Sequence, residues 1–365
     1  MTRVFHLRNS DRFGGPERLI LDQVLAAGAD TQHIVASFGT PDAAHPFLDR
    51  ARAEGVETCL IPQSSSYDPR APGRVRAAVR QLTPDVVVGH DYKANIFLAL
   101  ATDRPRVAVV HGYTSEDSKI RMFEAIDRRV VRSAEAVVVV SDVLRAQLLE
   151  AGVPPERIHE VPNGVNADRI AAAAHEGRAS VRAALGLADE VPLVLVLGRL
   201  SPEKGQDTAI DAFAALGRED VRLLLVGDGA SREALELRAA SHDLSGRVLF
   251  AGWRDDPWAC LGAADLFLLP SRSEGLPLAL LEALATGVPV VATRVGAVAE
   301  VLENGGCGLV IEPDEAADMT SAIRTVLDDE EGARARANRG ARRVREAYSV
   351  GAQARRLEAI YASLA

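Results

Sequence analysis

Residues 270–296 read PSRSEGLPLALLEALATGVPVVATRVG, and the reading of the fold turns on them. Pro270–Ser273 form a turn, and an acid, Glu274, stands before Gly275-Leu276-Pro277. Pro277 fits the first position of a helix, where a missing N–H costs nothing, and Gly287 fits just past its end. Val288–Ala292 then reads as a short apolar strand. Within the helix, Leu278, Leu280, Leu281, Ala283, Leu284 and Ala285 leave no polar face, so it is expected to be buried all round. Glu282 sits among them. A buried carboxylate requires a partner, in the protein or in a ligand.

The same alternation of short apolar strand and longer helical segment extends outward from this stretch. In the first half, strands are expected at Val4–Leu7, His33–Ser37, Thr58–Ile61, Val86–Gly89, Val107–Val110, Ala136–Val140 and Ile158–Val161. Pro162-Asn163-Gly164-Val165-Asn166 is a turn cluster, and an Ala-rich segment follows to Glu190, so the domain junction falls between about 165 and 190. A second series runs Leu193–Leu197, Arg222–Val226, Val248–Ala251, Leu266–Leu269, Val288–Ala292 and Gly308–Ile311, and helices are expected from Asp314 to Leu364. Strands this apolar with helical spacers specify an α/β chain whose parallel sheets are covered on both faces. Right-handed crossovers make each sheet doubly wound. The expected domains are residues 1–170 and 171–349. Two such domains in tandem imply a cleft, with ligands beyond the carboxyl ends of the strands. Glu274 and Glu282 fall at such ends.

Composition sets the limits on function. A chain of 365 residues exceeds what one hydrophobic core usually serves. The formal charge of -9 argues against a general nucleic-acid-binding surface. Residues 1–166 are nearly neutral, with 20 Lys and Arg against 21 Asp and Glu, and the remainder is acidic, with 22 against 30. The three scattered cysteines, Cys59, Cys260 and Cys307, form neither a disulfide framework nor a zinc site and suit a reducing cytoplasm. The start MTRVFHLRNSDRFGG is not read as a signal peptide, and no apolar run reaches the roughly 18–20 residues of a spanning helix.

Five groups of residues carry candidate chemistry. In Gly198-Arg199-Leu200-Ser201-Pro202-Glu203-Lys204-Gly205, two cations stand five apart at a strand–helix junction, which suits a diphosphate; a solvated turn with Glu203 pairing one cation is the competing reading. Gly227-Asp228-Gly229-Ala230-Ser231-Arg232 resembles the start of a dinucleotide fingerprint, but Arg232 replaces its third glycine, and a structural turn is expected. His111-Gly112 and His90-Asp91 place imidazoles at the carboxyl ends of two strands. Phe13-Gly14-Gly15-Pro16-Glu17 forms a turn whose glycines let backbone amides approach an anion at a helix start. Trp253 and Trp258 flank Arg254-Asp255-Asp256-Pro257; a base pocket is one reading, and packing of Trp258 against the sheet edge the other.

Arg199 and Lys204, followed about 70 residues later by Glu274, seven residues and Glu282, resemble the motif of retaining GT-B glycosyltransferases of the family-4 type (glycosyl transferases group 1). GGPERLILD, HGYT at 111–114, VPNGVN at 161–166, GRLSPEKG, LLLVGDGASREAL, FAGWRDD and EGLPLALLEALATGVPVVAT extend the resemblance over nearly the whole chain, in the order expected. The resemblance implies two Rossmann-like domains facing across a cleft, the first for the acceptor and the second for a nucleotide-sugar donor. It also implies that the final helix, about 350–365, packs back on the first domain. By the same resemblance Arg199 and Lys204 neutralise the donor diphosphate, and Gly14 and Gly15 lie against it. Glu274 hydrogen-bonds the sugar, and the amides of Gly275 and Leu276 hold the sugar and distal phosphate. Glu282 accepts from the ribose, His111 contacts the sugar near the reacting carbon, and the base rests near Gly252, Trp253 and Arg254.

The expected reaction is transfer of a sugar from a UDP-, GDP- or ADP-sugar to a hydroxyl acceptor with retention, without a metal or other cofactor, in the biosynthesis of an envelope polysaccharide, glycolipid or related glycoconjugate. No Asp-x-Asp element is present. A sugar-nucleotide epimerase, a phosphorylase and a non-catalytic sugar-nucleotide-binding protein are the alternatives. Arg70, Arg74, Arg76 and Arg80 on one helix, and Lys119, Arg121, Arg128, Arg129 and Arg132 on another, raise peripheral contact with the inner face of a membrane against the alternative of solvated helix faces.

Overall fold

The computed structural model describes every residue except 64, 66, 67 and 113–117, and of residues 118–121 it describes the backbone alone. The chain forms two compact units, one of Met1–Gly164 with Val350–Ala365, the other of Val165–Ser349.

The first unit begins β1 (Thr2–Arg8), α1 (Gly15–Leu25), β2 (Thr31–Gly39), α2 (Pro46–Ala53) and β3 (Glu57–Pro62). It continues α3 (Ala71–Leu82), β4 (Val86–Gly89), α4 (Tyr92–Ala101), β5 (Arg106–Val110) and α5 (Ser118–Val131). Next come β6 (Ala136–Val139), α6 (Asp142–Glu150) and β7 (Ile158–Glu160). All pairings are parallel, in the order β3-β2-β1-β4-β5-β6-β7. The order reverses between β1 and β4, so their outgoing loops leave toward opposite faces and open a crevice at the carboxyl edge.

The second unit opens with α7 (Ala167–Ala184), which is the Ala-rich stretch after the turn cluster, now a continuous helix. It is followed by β8 (Leu193–Leu197), α8 (Gln206–Leu216), β9 (Arg222–Val226), α9 (Arg232–Ser241) and β10 (Val248–Gly252). Then come α10 (Pro257–Ala263), β11 (Leu266–Leu269), α11 (Leu278–Thr286), β12 (Val290–Thr293) and the single turn α12 (Val298–Val301). β13 (Leu309–Ile311), α13 (Ala316–Asp328) and α14 (Glu330–Ala347) complete it. This sheet is parallel in the order β10-β9-β8-β11-β12-β13, with its reversal between β8 and β11. The chain is therefore α/β with two Rossmann-like parallel sheets.

Local departures from expectation have simple causes. Pro277 is the N-cap of α11 with extended backbone rather than its first helical residue, and the helix starts at Leu278. Strand β12 starts at Val290 rather than Val288, because Pro289 lacks the N–H that a ladder needs; its carbonyl accepts from the Phe267 amide. Gly287 ends α11 in the left-handed region at φ 76°, as the sequence required.

The last helix, α15 (Val350–Leu364), belongs to the first unit. Leu357, Ile360 and Tyr361 pack on Val4, Val86, Val88 and Val107, and Glu358 accepts from the Gly28 amide at 2.8 Å. Of the basic residues of α3, Arg74 binds Asp68 and Arg76 binds the carbonyls of Leu100 and Ala101. The side chains of Lys119 and Arg121 lie outside the described residues. Among the described residues no helix is long and apolar enough to cross a membrane.

Three histidines, His6 and His90 buried and His33 partly so, run in a line through the first unit. His6 on β1 bonds His90 through Nδ1 at 3.0 Å and His33 through Nε2 at 2.8 Å. Burial is the largest cause that pushes His6 and His90 well below the ordinary 6.5, and it pushes His33 down to about 4. These rings stay neutral in the folded chain but bind protons near 6.5 once unfolded, so below that pH the unfolded state holds more protons. Stability is therefore expected to fall as pH drops from about 6.5 toward 4, by up to about 1.4 kcal/mol per pH unit for each ring. Urea unfolding across that range, with His33→Gln flattening the slope, checks this; a midpoint independent of pH would refute it.

Candidate active site

The residues singled out in the second half gather where its sheet order reverses. The loop leaving β8 carries Arg199 and Lys204, and the loop leaving β11 carries Glu274. Lys204 Nζ donates to Glu274 Oε1 at 2.7 Å, and Ser271 Oγ donates to the same oxygen at 2.7 Å. Among the described residues Oε2 of Glu274 has no hydrogen bond, so one carboxylate oxygen is anchored and the other is available. Arg199, half-exposed, reaches Glu203 Oε1 at 3.0 Å, the pairing that a solvated turn would make. Ser201 Oγ also donates to that oxygen, and Gln206 Nε2 donates to the Arg199 carbonyl at 2.8 Å.

Arg272 welds the two loops together. Its backbone amide donates to the Glu203 carbonyl, and its guanidinium donates to the Pro202 carbonyl, to both oxygens of Asp207, to Thr208 Oγ1 and to Asp314. Burial acts to raise Asp207, but the hydrogen bonds from Arg272, its charge and the backbone amides of Thr208 and Asp207 together outweigh that and hold the carboxyl below its usual range. No sequence spacing signals Arg272, because its partners come from positions 207 and 314.

The turn at Gly227-Asp228-Gly229 is structural, as expected. A Cβ on Gly227 would lie 1.9 Å from the Gly198 carbonyl oxygen, and the Leu200 amide donates to the Asp228 carbonyl. This turn therefore braces the segment that presents Arg199.

Glu282, 9 % exposed, finds its partner in the protein: Trp258 Nε1 donates to its Oε1 at 2.9 Å. Trp258 thus does more than fill the sheet edge. It lies on α10 under the Arg169 guanidinium, 5.6 Å from the ring centre, with its indole N–H on the carboxylate. The residues proposed for the base are at the end of β10: Gly252 accepts from the Gly227 amide, Arg254 forks onto Asp256, and Trp253 is 48 % exposed. The Leu276 side chain is buried, and the Gly275 carbonyl accepts from the Ala297 amide.

In the first unit, the loops after β1, β4 and β5 bring together Arg8, Glu17, His90 and His111. Glu17, at the third position of α1, reaches back to accept from the Gly14 amide at 2.9 Å, so this amide is engaged by protein. Arg8 donates from Nε to Glu17 and from Nη1 to the His90 carbonyl. Gly15 is the first residue of α1. Nε2 of His111 is buried without a hydrogen-bond partner among the described residues. Burial first, and then Arg8, push His111 down to about 4 against the opposing effect of Glu17, so the imidazole is neutral at ordinary pH. The Gly14-x-x-Glu17 spacing is a capping signal legible in sequence; Arg8 carries none. Tyr113 and Thr114 of the HGYT motif lie outside the described residues.

The sequence models of "Glycosyl transferases group 1" and "Glycosyltransferase Family 4" match residues 177–344 and 13–169 respectively. A GDP-mannose-dependent alpha-(1-6)-phosphatidylinositol monomannoside mannosyltransferase of Mycobacterium tuberculosis is 30% identical over 80% of this chain and 79% of its own length. An alpha-D-kanosaminyltransferase of Streptomyces kanamyceticus is 32% identical over 64% of this chain, and the match spans 62% of that relative's length. The chain belongs to this glycosyltransferase family. Solved structures agree on the fold: Anabaena Alr3699/HepE in complex with UDP and glucose superposes with a TM-score of 0.87 at 22% identity, each chain covered in full. Sucrose-phosphate synthase from Thermosynechococcus elongatus superposes with a TM-score of 0.83 at 23% identity, over 100% of this chain and 99% of that one. The fold is GT-B.

The meeting of the two loops depends on Gly205. It sits at φ 67°, and a Cβ there would lie 2.0 Å from the Pro270 carbonyl oxygen. Gly217 has the same φ of 67° with nothing within 4 Å. Gly217→Ala is expected to cost about 1 kcal/mol, and Gly205→Ala several times that, since backbone must move as well. Urea unfolding of the two variants measures the difference, and equal losses would show that the loops do not constrain each other.

Proposed function

We propose that this protein transfers a sugar from a nucleotide-sugar to a hydroxyl acceptor with retention at the anomeric carbon. The observation that carries the reading is the Lys204–Glu274 contact, with Arg199 on the same turn, at the reversal of the second sheet in a member of a glycosyltransferase family. In this reading Arg199 and Lys204 take the donor diphosphate, the Gly14-Gly15 turn lies against it, and the amides of Gly15, Gly275 and Leu276 contribute donors. These groups supply the positive charge that a divalent ion would otherwise bring, so no metal is needed.

Oε2 of Glu274 accepts from sugar hydroxyls while Ser271 and Lys204 hold Oε1. When diphosphate draws Lys204 away, Ser271 keeps the carboxylate in place. Glu282, five residues beyond Pro277 and roughly 7.5 Å along the helix, accepts from the ribose, and the base lies near Gly252, Trp253 and Arg254. His111, neutral and with a buried Nε2 that has no partner among the described residues, lies against the sugar near the reacting carbon. The acceptor hydroxyl attacks from the face that the diphosphate leaves, and a donor phosphate oxygen takes its proton; the developing oxocarbenium is stabilised by placement of charge rather than by a nucleophile. Acceptors in cell-envelope glycoconjugate synthesis fit the company of its relatives, two of which are named for a phosphatidylinositol mannoside and a lipopolysaccharide core.

Thermal-shift titration with UDP-, GDP-, ADP- and dTDP-sugars is expected to single out one nucleotide. With that donor, Glu274→Gln should lower kcat by about a hundredfold or more with a smaller change in donor KM, and Arg199→Ala or Lys204→Ala should raise the donor KM as well. A Glu274→Gln enzyme with normal turnover would sink the assignment.

Trp258→Phe keeps the packing and removes the bond to Glu282. It is expected to weaken the nucleoside diphosphate more than its 2′-deoxy counterpart, narrowing the preference for ribose by about three- to tenfold. Equal weakening of both ligands would reduce Trp258 to packing alone.

A further inference from the structure

The reversal point of the first sheet holds a cation for which the reaction as described has no use. Lys93 lies in the first turn of α4, just after the carboxyl end of β4. Its ammonium donates to Asn9 Oδ1 at 2.8 Å, in the loop after β1, and to Gln63 Oε1 at 2.9 Å, after β3. It stands 4.5 Å from the ring centre of Phe38 and 5.7 Å from that of Phe97. Two neutral amide oxygens and two aromatic faces are its partners.

Three features make this a costly place for a charge. The group is half-buried, and burial pushes its pKa down. It occupies the N-terminal turn of a helix, where the peptide dipoles disfavour a cation. Among the described residues it forms no ion pair. Asp91 is the nearby carboxylate, but its oxygens accept from the amides of Asn9 and Ala94 as the cap of α4. The neighbouring cation, Arg74, is by contrast paired with Asp68 at 2.7 Å. An uncharged Met would rest on Phe38 and Phe97 without these costs, and the lysine's third N–H has no acceptor among the described residues.

We propose that Lys93, held by Asn9 and Gln63 at the carboxyl edge of the first sheet, is the anchor for an anionic oxygen group, a phosphate ester or a carboxylate, on the acceptor. The inference rests on the proposed glycosyl transfer and gives its acceptor a chemical class. β1 and β5 flank β4, so the loops bearing Asn9 and His111 are two strand spacings apart, roughly 10 Å. The charge is then carried close to the reacting hydroxyl, not at the remote end of a long chain. Incoming phosphate or carboxylate supplies the ion pair that Lys93 lacks and the acceptor for its third N–H.

The test uses the whole chain and the nucleotide-sugar chosen by thermal shift, and follows nucleoside diphosphate release and product mass. The acceptors are inositol 1-phosphate, glucose 6-phosphate and glucuronate, each beside its uncharged counterpart, inositol or methyl glucoside. At least one anionic acceptor is expected to show a KM about tenfold or more below that of its counterpart. Lys93→Met should raise that KM about tenfold more than it raises the uncharged one, with Lys93→Arg recovering part of the loss. Phosphates preferred over glucuronate, or the reverse, identify the source of the charge. Equal use of charged and uncharged acceptors by the unmodified protein overturns the proposal, as does turnover with none of the anionic acceptors. A Lys93→Met effect confined to the donor KM overturns it too, because the lysine would then serve the donor. Transfer that persists in Glu274→Gln, or hydrolysis with no transfer to any acceptor, counts instead against the glycosyl-transfer reading.

Discussion

The constraint on which the second unit depends is the contact between the backbone leaving β8 and the backbone leaving β11. These strands are neighbours at the point where the sheet reverses, so their loops depart toward opposite faces. Left to the sheet alone, the side chains after β8 and those after β11 would separate. Gly205 against Pro270, and the Arg272 guanidinium across Pro202, Asp207, Thr208 and Asp314, hold the loops together instead. Lys204 and Glu274 are within hydrogen-bond distance as a result. Their attraction is partly exposed to water and worth little by itself; its meaning lies in the geometry that the surrounding framework imposes.

Glu282 shows a second way of paying for a polar group inside an apolar helix. Its neighbours Leu280, Leu281, Ala283 and Leu284 are fully buried. The indole N–H of Trp258 is a neutral donor, and it satisfies one of the carboxylate oxygens. The first unit uses the same economy in its line of histidines, where neutral rings exchange hydrogen bonds through the core.

Much of the fold was legible because parallel strands covered on both faces must be apolar throughout. Leu193–Leu197, Arg222–Val226 and Leu266–Leu269 stand where the runs of Leu and Val placed them, bounded by polar turns. Errors fell where one residue decides a boundary, as Pro277 and Pro289 did. Lys204 and Glu274, singled out by residue type and spacing, do meet in space. Arg8, Arg272, Ser271 and Lys93 were not legible as participants: Arg8, Arg272 and Lys93 are distinguished by partners far away in sequence, His90 across the strand reversal, Asp314 beyond two strands and Gln63 on the far side of β1, while Ser271, three residues before Glu274, read only as part of a turn. A charge seen in sequence alone reads as a solvated surface. Trp258 was visible, but its apolar ring suggested packing, and only the position of Glu282 one helix later gives its N–H a task.

The first unit is discontinuous, since its sheet is covered on one face by α15 from the end of the chain. Val4, Val86, Val88 and Val107 on that sheet are covered, among the described residues of their cluster, by Leu357, Ile360, Tyr361 and Leu364 together with neighbouring strands. During synthesis the ribosome delivers all of the second unit before it delivers this helix. The usual order, in which the amino-terminal domain folds first, is therefore reversed for the last stage: the second unit can close while the first still exposes a valine-rich sheet face. A nascent chain stalled or cut before Val350 would carry a finished domain joined to an adhesive one, so the burden on chaperones falls on the earlier-made of these two units.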